Sequence, residues 1–229
     1  MNPNRLNLAE EKQKIKAMSF KEAVQYIWTY FWIPIVAIVV VLAFGTFMIV
    51  RLATSIPDNW ISLTFANMTA DVGTGSDLWK DFTEKAGYDL TEKKVEFNAV
   101  SYFDYLKDQA KGNAYYNAFV TLADAGELDG ITMECDSLAA LGQSGRLLDL
   151  NDERAASIKA KYEERFIYYE PPEEDEEHDG PIPVGIDISD SILISEYQMY
   201  PDSCAIGICA TSDNLEEVEY FIDYVLGEG

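Results

Sequence analysis

Apolar and polar positions divide the chain into two unlike parts. From Trp28 to Val50 the sequence runs WTYFWIPIVAIVVVLAFGTFMIV, without one charged side chain. A helix of that length crosses a hydrocarbon layer of about 30 Å. Trp28, Tyr30 and Trp32 crowd its first turns, where amphipathic rings favour a membrane interface. Pro34 lies near the start of the run, where the backbone groups it frees are re-satisfied most easily. Residues 28–50 are therefore expected to form a transmembrane helix.

Beyond this run the pattern becomes that of a globular α/β domain. WISLTFANMT, Trp60 to Thr69, predicts a strand. Ser76 or Asp77 predicts the N-cap of a helix that turns Leu78, Trp79, Phe82 and Ala86 to one side and stops at Gly87. KKVEFNAV alternates as a second strand. Ser101 with Asp104 predicts another helix, carrying Phe103, Leu106 and Ala110 inward and closed by Gly112, and AYYNAFVTLADAG predicts one more. Leu128–Met133 reads as a buried strand and Asp136–Leu141 as a short helix. NDERAASIKAKYEER is helical in pattern, while FIYYE, IPVGIDIS and CAIGICA read as strands. A final helix, capped by Asp213 with Glu216 and ended by Gly227, buries Leu215, Val218, Phe221, Ile222 and Val225. Strands interleaved with helices predict one α/β domain over residues 60–229, with a largely parallel sheet and helices on both faces.

The charges flanking the apolar run set its orientation. Arg5, Lys12, Lys14, Lys16 and Lys21 precede it and only Arg51 follows closely. Residues 1–27 are accordingly expected as a cytoplasmic tail, 51–59 as a linker and 60–229 as an extracellular domain. A cleaved signal would have a shorter apolar region and a small-residue cleavage site. LATS, Leu52 to Ser55, fits that poorly, so the run is read as an uncleaved anchor.

The chain carries 17 Lys and Arg against 40 Asp and Glu, a net charge of −23, and the acidic excess lies after the apolar run. That excess argues against nucleic acid or an anionic lipid surface as the domain's partner. PPEEDEEHDGP can bury nothing, so residues 170–180 are expected as an exposed acidic loop.

Candidate chemistry is sparse. The three cysteines, Cys135, Cys204 and Cys209, allow at most one internal bridge. Cys204 and Cys209 would point to opposite faces of a strand, so the thiols read as small buried hydrophobes. With His178 as the single histidine, no zinc pattern exists and Cys135 has no evident base. DVGTGSDLWK lacks the spacing of a phosphate loop and reads as a turn and a cap. The acidic run lacks the alternating ligands and turn glycine of a calcium loop. No catalytic set, metal site or cofactor emerges. The most suggestive polar group is Asp187, Ser189, Asp190 and Ser191 in GIDISDS, suited either to capping a helix or to touching a ligand.

AGELDGITMECDSLAALGQSGRLLDL resembles the segment of extracellular solute-binding proteins in which a strand ends in a ligand-facing turn. IPVGIDIS resembles their hinge-proximal strand, and CAIGICATSDNLEEVEYFIDYVL their closing strand, cap and helix. The resemblance implies a periplasmic-binding fold of the second type, here reduced to a single lobe, because the chain has no room for the second. It implies ligand contacts at the turns after the strands: Asn67, Thr69, Glu134, Asp136, Ser137, Asp187, Ser189 and Asp190. The function it implies is a membrane-anchored, non-enzymatic binding or accessory module whose partner is a membrane protein such as a transporter subunit. The competing reading is a structural subunit of a membrane assembly with no small-molecule ligand.

Overall fold

The computed structural model describes residues 8–54, 58–68, 70–87, 89–90, 93–100, 103, 105, 113–172 and 180–227. They fall into two units, Met1–Ile56 and Pro57–Gly229.

In the first unit the tail is more regular than expected. Helix α1 spans Leu8–Ala17 and α2 spans Phe20–Thr54, so the long helix begins at Phe20 rather than Trp28. The break comes from a local cap. Glu22 accepts hydrogen bonds from the Ser19 amide at 3.0 Å and the Ser19 hydroxyl at 2.6 Å, the carboxylate half of a capping box. Over its 35 residues α2 measures about 52 Å. Its segment Phe20–Arg51 is long and apolar enough to cross a membrane, and its apolar window has no part buried.

The second unit is a mixed sheet. Its elements are β1 (Asp58–Ala66), α3 (Asp77–Ala86), β2 (Lys93–Val100), α4 (Ala114–Asp124), β3 (Gly130–Met133) and α5 (Cys135–Leu141). Then follow α6 (Ala156–Tyr162), β4 (Phe166–Tyr169), β5 (Ile182–Asp187), α7 (Ile192–Ser195), β6 (Ala205–Ile208) and α8 (Leu215–Leu226). With β1 beginning at Asp58 and α2 reaching Thr54, regular structure takes over most of the expected linker. Of the helix expected over 101–112 only residues 103 and 105 are described, and the acidic residues 173–179 and Thr69 lie outside the described residues.

Strand order is β2-β1-β3-β6-β5-β4. The pairs β1–β2 and β1–β3 are parallel, whereas β3–β6, β5–β6 and β4–β5 are antiparallel. The expectation of a largely parallel sheet is therefore corrected. The first three strands are joined by helical crossovers, the connection that parallel neighbours require. β6 returns between β3 and β5 in the opposite sense, and β4 and β5 form a hairpin. That hairpin bulges, since Ile167 faces Gly185 but Tyr168 faces Pro183.

Both faces of the sheet are covered. On one, Leu78 and Phe82 of α3, Ile158 and Tyr162 of α6, and Val218, Phe221, Ile222 and Val225 of α8 pack on Ile61, Leu63 and Phe65. On the other, Phe119 and Ala123 of α4 and Leu138 and Leu141 of α5 pack on Ile131, Met133 and Val184. The caps follow their chemistry. Ser76 accepts from the Trp79 amide at 3.3 Å, and Gly87 and Gly227 close their helices at φ 66° and 73°, where a side chain is disfavoured. The last helix departs from expectation. Its N-cap is Asn214 rather than Asp213, without a side-chain cap of its own. Ser212 and the buried Asp129 hold that end instead, through the Asn214 amide and side chain.

Candidate functional site

The strand order reverses beside β1: the chain steps from β1 to β2 on one side, then crosses back to β3 on the other. In open α/β sheets, ligands bind outside the carboxyl ends of strands at such a switch point. Registers place those ends in one row, with Phe65 opposite Thr132, Met133 opposite Ala205, and Ala205 opposite Asp187. The turns after β1, β3 and β5 consequently share one edge.

A notch of glycines seats α5 on this sheet. A Cβ on Gly185 would lie 2.2 Å from Leu138, and one on Gly207 would lie 2.9 Å from it. Leu138 fills the space those side chains would take, and α5 approaches closely enough to carry Cys135 to the end of β5. The Cys135 amide donates to Ser203 Oγ at 3.4 Å. Its Sγ lies 3.9 Å from Asp187 Oδ1 and 3.7 Å from Ser189 Oγ. Asp187 Oδ1 accepts from the Ser189 amide at 2.9 Å and its hydroxyl at 2.5 Å, an Asx-type turn. Ser189 Oγ in turn accepts the Cys204 amide at 3.1 Å.

The residues singled out from the sequence thus have different fates. Glu134–Ser137 and Asp187–Ser189 do converge. Glu134 and Asp136 are exposed, and Ser137, Asp187 and Ser189 are half-buried, so this is an open rim. Asn67 stands in the same row but is engaged by its own chain: at φ 56° it accepts the Phe103 amide at 2.6 Å and donates to the Phe103 carbonyl. Asp190 turns away to Arg165, accepting from its two terminal guanidinium nitrogens at 2.7 and 2.9 Å. That hydrogen bonding holds its carboxyl below the usual carboxylate range. Neither Ser189 nor Asp190 caps a helix; α7 starts from Ser191.

Ser203 and Asp129 escaped the sequence reading. Ser203 lies next to β6 and meets Cys135 only through antiparallel pairing. Asp129 had a signal, an acid inside an apolar stretch just before β3.

Burial pushes the Cys135 thiol up, so it is protonated at neutral pH and offers a weak hydrogen bond rather than a thiolate. The rim presents carboxylate and hydroxyl oxygens, suited to ligands or partners that donate hydrogen bonds. Among the described residues no group of three or more His, Cys, Asp or Glu could hold a metal ion.

The thiols make a measurable prediction. Burial drives Cys204 well above its ordinary range and Cys209 up to about 12. In the native protein a disulfide reagent should therefore reach only the half-buried Cys135, and slowly at neutral pH. Because the folded thiols resist ionisation while the unfolded ones titrate near pH 9, their contribution to stability is complete below pH 9. For Cys209 it is lost as the pH rises from there to about 12. Melting temperatures across that range should fall, and a Cys209→Ala variant should fall less.

The carboxylates of the rim should also differ. Asp136→Ala should leave stability within about 0.5 kcal/mol. Asp187→Ala, which removes the acceptor of the Ser189 amide, the Ser189 hydroxyl and the Cys135 thiol, should cost about 1–2 kcal/mol by chemical denaturation.

Comparison of the chain with protein-family models, curated proteins and solved structures finds no match. Fold and site together define an α/β protein with a mixed six-stranded sheet, preceded by one apolar helix of membrane-spanning length.

Proposed function

We propose that this chain is a membrane-anchored, non-enzymatic accessory module, similar in kind to one lobe of an extracellular solute-binding protein. Residues 28–50 hold it in the membrane with its N-terminus in the cytoplasm and its α/β domain outside. The observation that carries the reading is the rim itself. Two turns distant in sequence, Glu134–Ser137 and Asp187–Ser189, meet at the switch-point edge of the sheet, with Glu134 and Asp136 left exposed. A small solute on such an edge would remain largely in water, whereas ligand pockets normally enclose most of their ligand. A second protein surface would supply the missing wall, which favours a membrane partner such as a transporter subunit over a free solute.

The test uses the full chain in lipid nanodiscs. Calorimetry against sugars, amino acids and short peptides should detect nothing tighter than about millimolar. A photo-crosslinker placed at residue 136 in native membranes should capture a membrane protein, and Asp187→Ala should weaken that capture. Micromolar binding of any free solute would overturn the proposal in favour of an ordinary receptor.

A further inference from the structure

The long helix has two unlike sides before it reaches its apolar run. At about 100° per residue, Phe20, Val24, Ile27 and Phe31 fall on one stripe about 60° wide. Phe20 and Val24 are 87% and 52% exposed. The opposite side carries Glu22, Gln25 and Tyr26, which border a groove of about 450 Å³ with Ala17 and Met18, where α1 joins. The first helix therefore leaves from the polar side and does not cover the stripe.

We propose that α2 crosses the bilayer tilted toward this stripe, so that Phe20, Val24 and Ile27 lie in the interfacial layer of the leaflet on its N-terminal side. The inference rests on the reading that α2 spans a membrane, and it adds the direction in which the helix leans. Ala23 to Val50 carry no charge, about 42 Å of helix against a hydrocarbon thickness of about 30 Å. A span longer than its bilayer tilts, and the flanking residues decide which way. Leaning toward Phe20 and Val24 sinks an apolar stripe continuous with the lipid-facing span. The same lean lifts Glu22, Gln25 and the α1 junction toward water. Leaning the other way would press Glu22 and Gln25 into lipid and leave Phe20 in water. The flanking Lys21 can extend its stem along the interface and keep its ammonium among headgroups. The occupant of the stripe is thus the glycerol and upper acyl region of phospholipid, not a second copy of the chain.

Val24 and Gln25 are neighbours, about 1.5 Å apart along the helix axis, so a difference between them reports side rather than depth. Spin labels would be placed singly at Phe20→Cys, Val24→Cys, Gln25→Cys and Ile38→Cys in a Cys135→Ser background, with the full chain in phosphatidylcholine nanodiscs. At 20 and 24, collision with oxygen should exceed collision with a water-soluble nickel chelate several-fold, and at 25 the order should reverse. Equal behaviour at 24 and 25 overturns the tilt, as does dipolar coupling between labels at 24 on two copies. The label at 38 separates the two readings. If it reports lipid while 20 and 24 report water, only the tilt fails. If it too reports water, the membrane span itself is wrong.

Discussion

Replacing Gly185 by alanine is expected to destabilise the α/β domain by about 3 kcal/mol, at the upper end of ordinary overpacking. The added Cβ would stand 2.2 Å from Leu138 Cδ2 and 3.0 Å from the Ile206 carbonyl oxygen. A leucine tip can often swing aside, but this one is fully buried and also lies 2.9 Å from where a Cβ on Gly207 would sit. It has nowhere to go, so α5 must lift off the sheet. Since α5 carries Cys135, the contacts from Cys135 to Asp187 and Ser189 should open with it. Chemical denaturation would measure the first effect, and faster labelling of Cys135 the second. Leu138→Ala alone should cost about 2–5 kcal/mol. In the double variant the cavity accepts the new methyl, so its loss should fall short of the sum of the two single losses by about 1–3 kcal/mol. Strict additivity would mean that α5 is not held by this notch.

The same notch marks the limit of what can be read from the chain. Local signals carried well: period-two alternation placed β2 at 93–100, and Ser76, Gly87 and Gly227 bounded α3 and α8 where capping chemistry puts them. The break before α2 was also written locally, in Ser19 and Glu22, but in a segment treated as a tail. Pairing across the sheet was not readable. Nothing in AIGI states that it returns antiparallel between β3 and β5, and the expectation of a largely parallel sheet failed there. The glycines of β5 and β6 read only as weak strand residues until Leu138 is seen above them.

The rim divides in the same way. That the turns after β3 and β5 gather on one edge follows from the geometry of strands running in one sense. How each side chain spends its polar atoms does not. Asn67 is tied to Phe103 and Asp190 to Arg165, partners 36 and 25 positions away. No local pattern distinguishes these from Glu134 and Asp136, which remain exposed.

The largest polar effect is expected far from that rim, at Asp129. This side chain is 2% exposed and accepts three hydrogen bonds: the Ser62 amide at 2.7 Å, the Ser212 hydroxyl at 2.6 Å and the Asn214 side-chain amide at 3.1 Å. Its backbone adds two more, from its amide to the Ser62 carbonyl and from the Cys209 amide to its own carbonyl. One residue thus joins β1, β3, the end of β6 and the N-terminus of α8, the helix that supplies Phe221 and Val225 to the core. In Asp129→Ala the Ser212 hydroxyl can rotate and the half-buried Asn214 can turn toward water. The buried Ser62 amide can do neither, and an orphaned buried donor costs about 1–3 kcal/mol by itself. With the loosened α8 terminus, a total near 3–4 kcal/mol is expected, a fall of roughly 10 °C in melting temperature for a domain of this size. Ser212→Ala should lose only about 1 kcal/mol. Asp129→Asn should fall between them, because its NH₂ group must face a donor on whichever side it takes. Thermal unfolding of the three variants decides the matter: if Asp129→Ala melts within a degree of the parent, this carboxyl is not what ties the helix to the sheet.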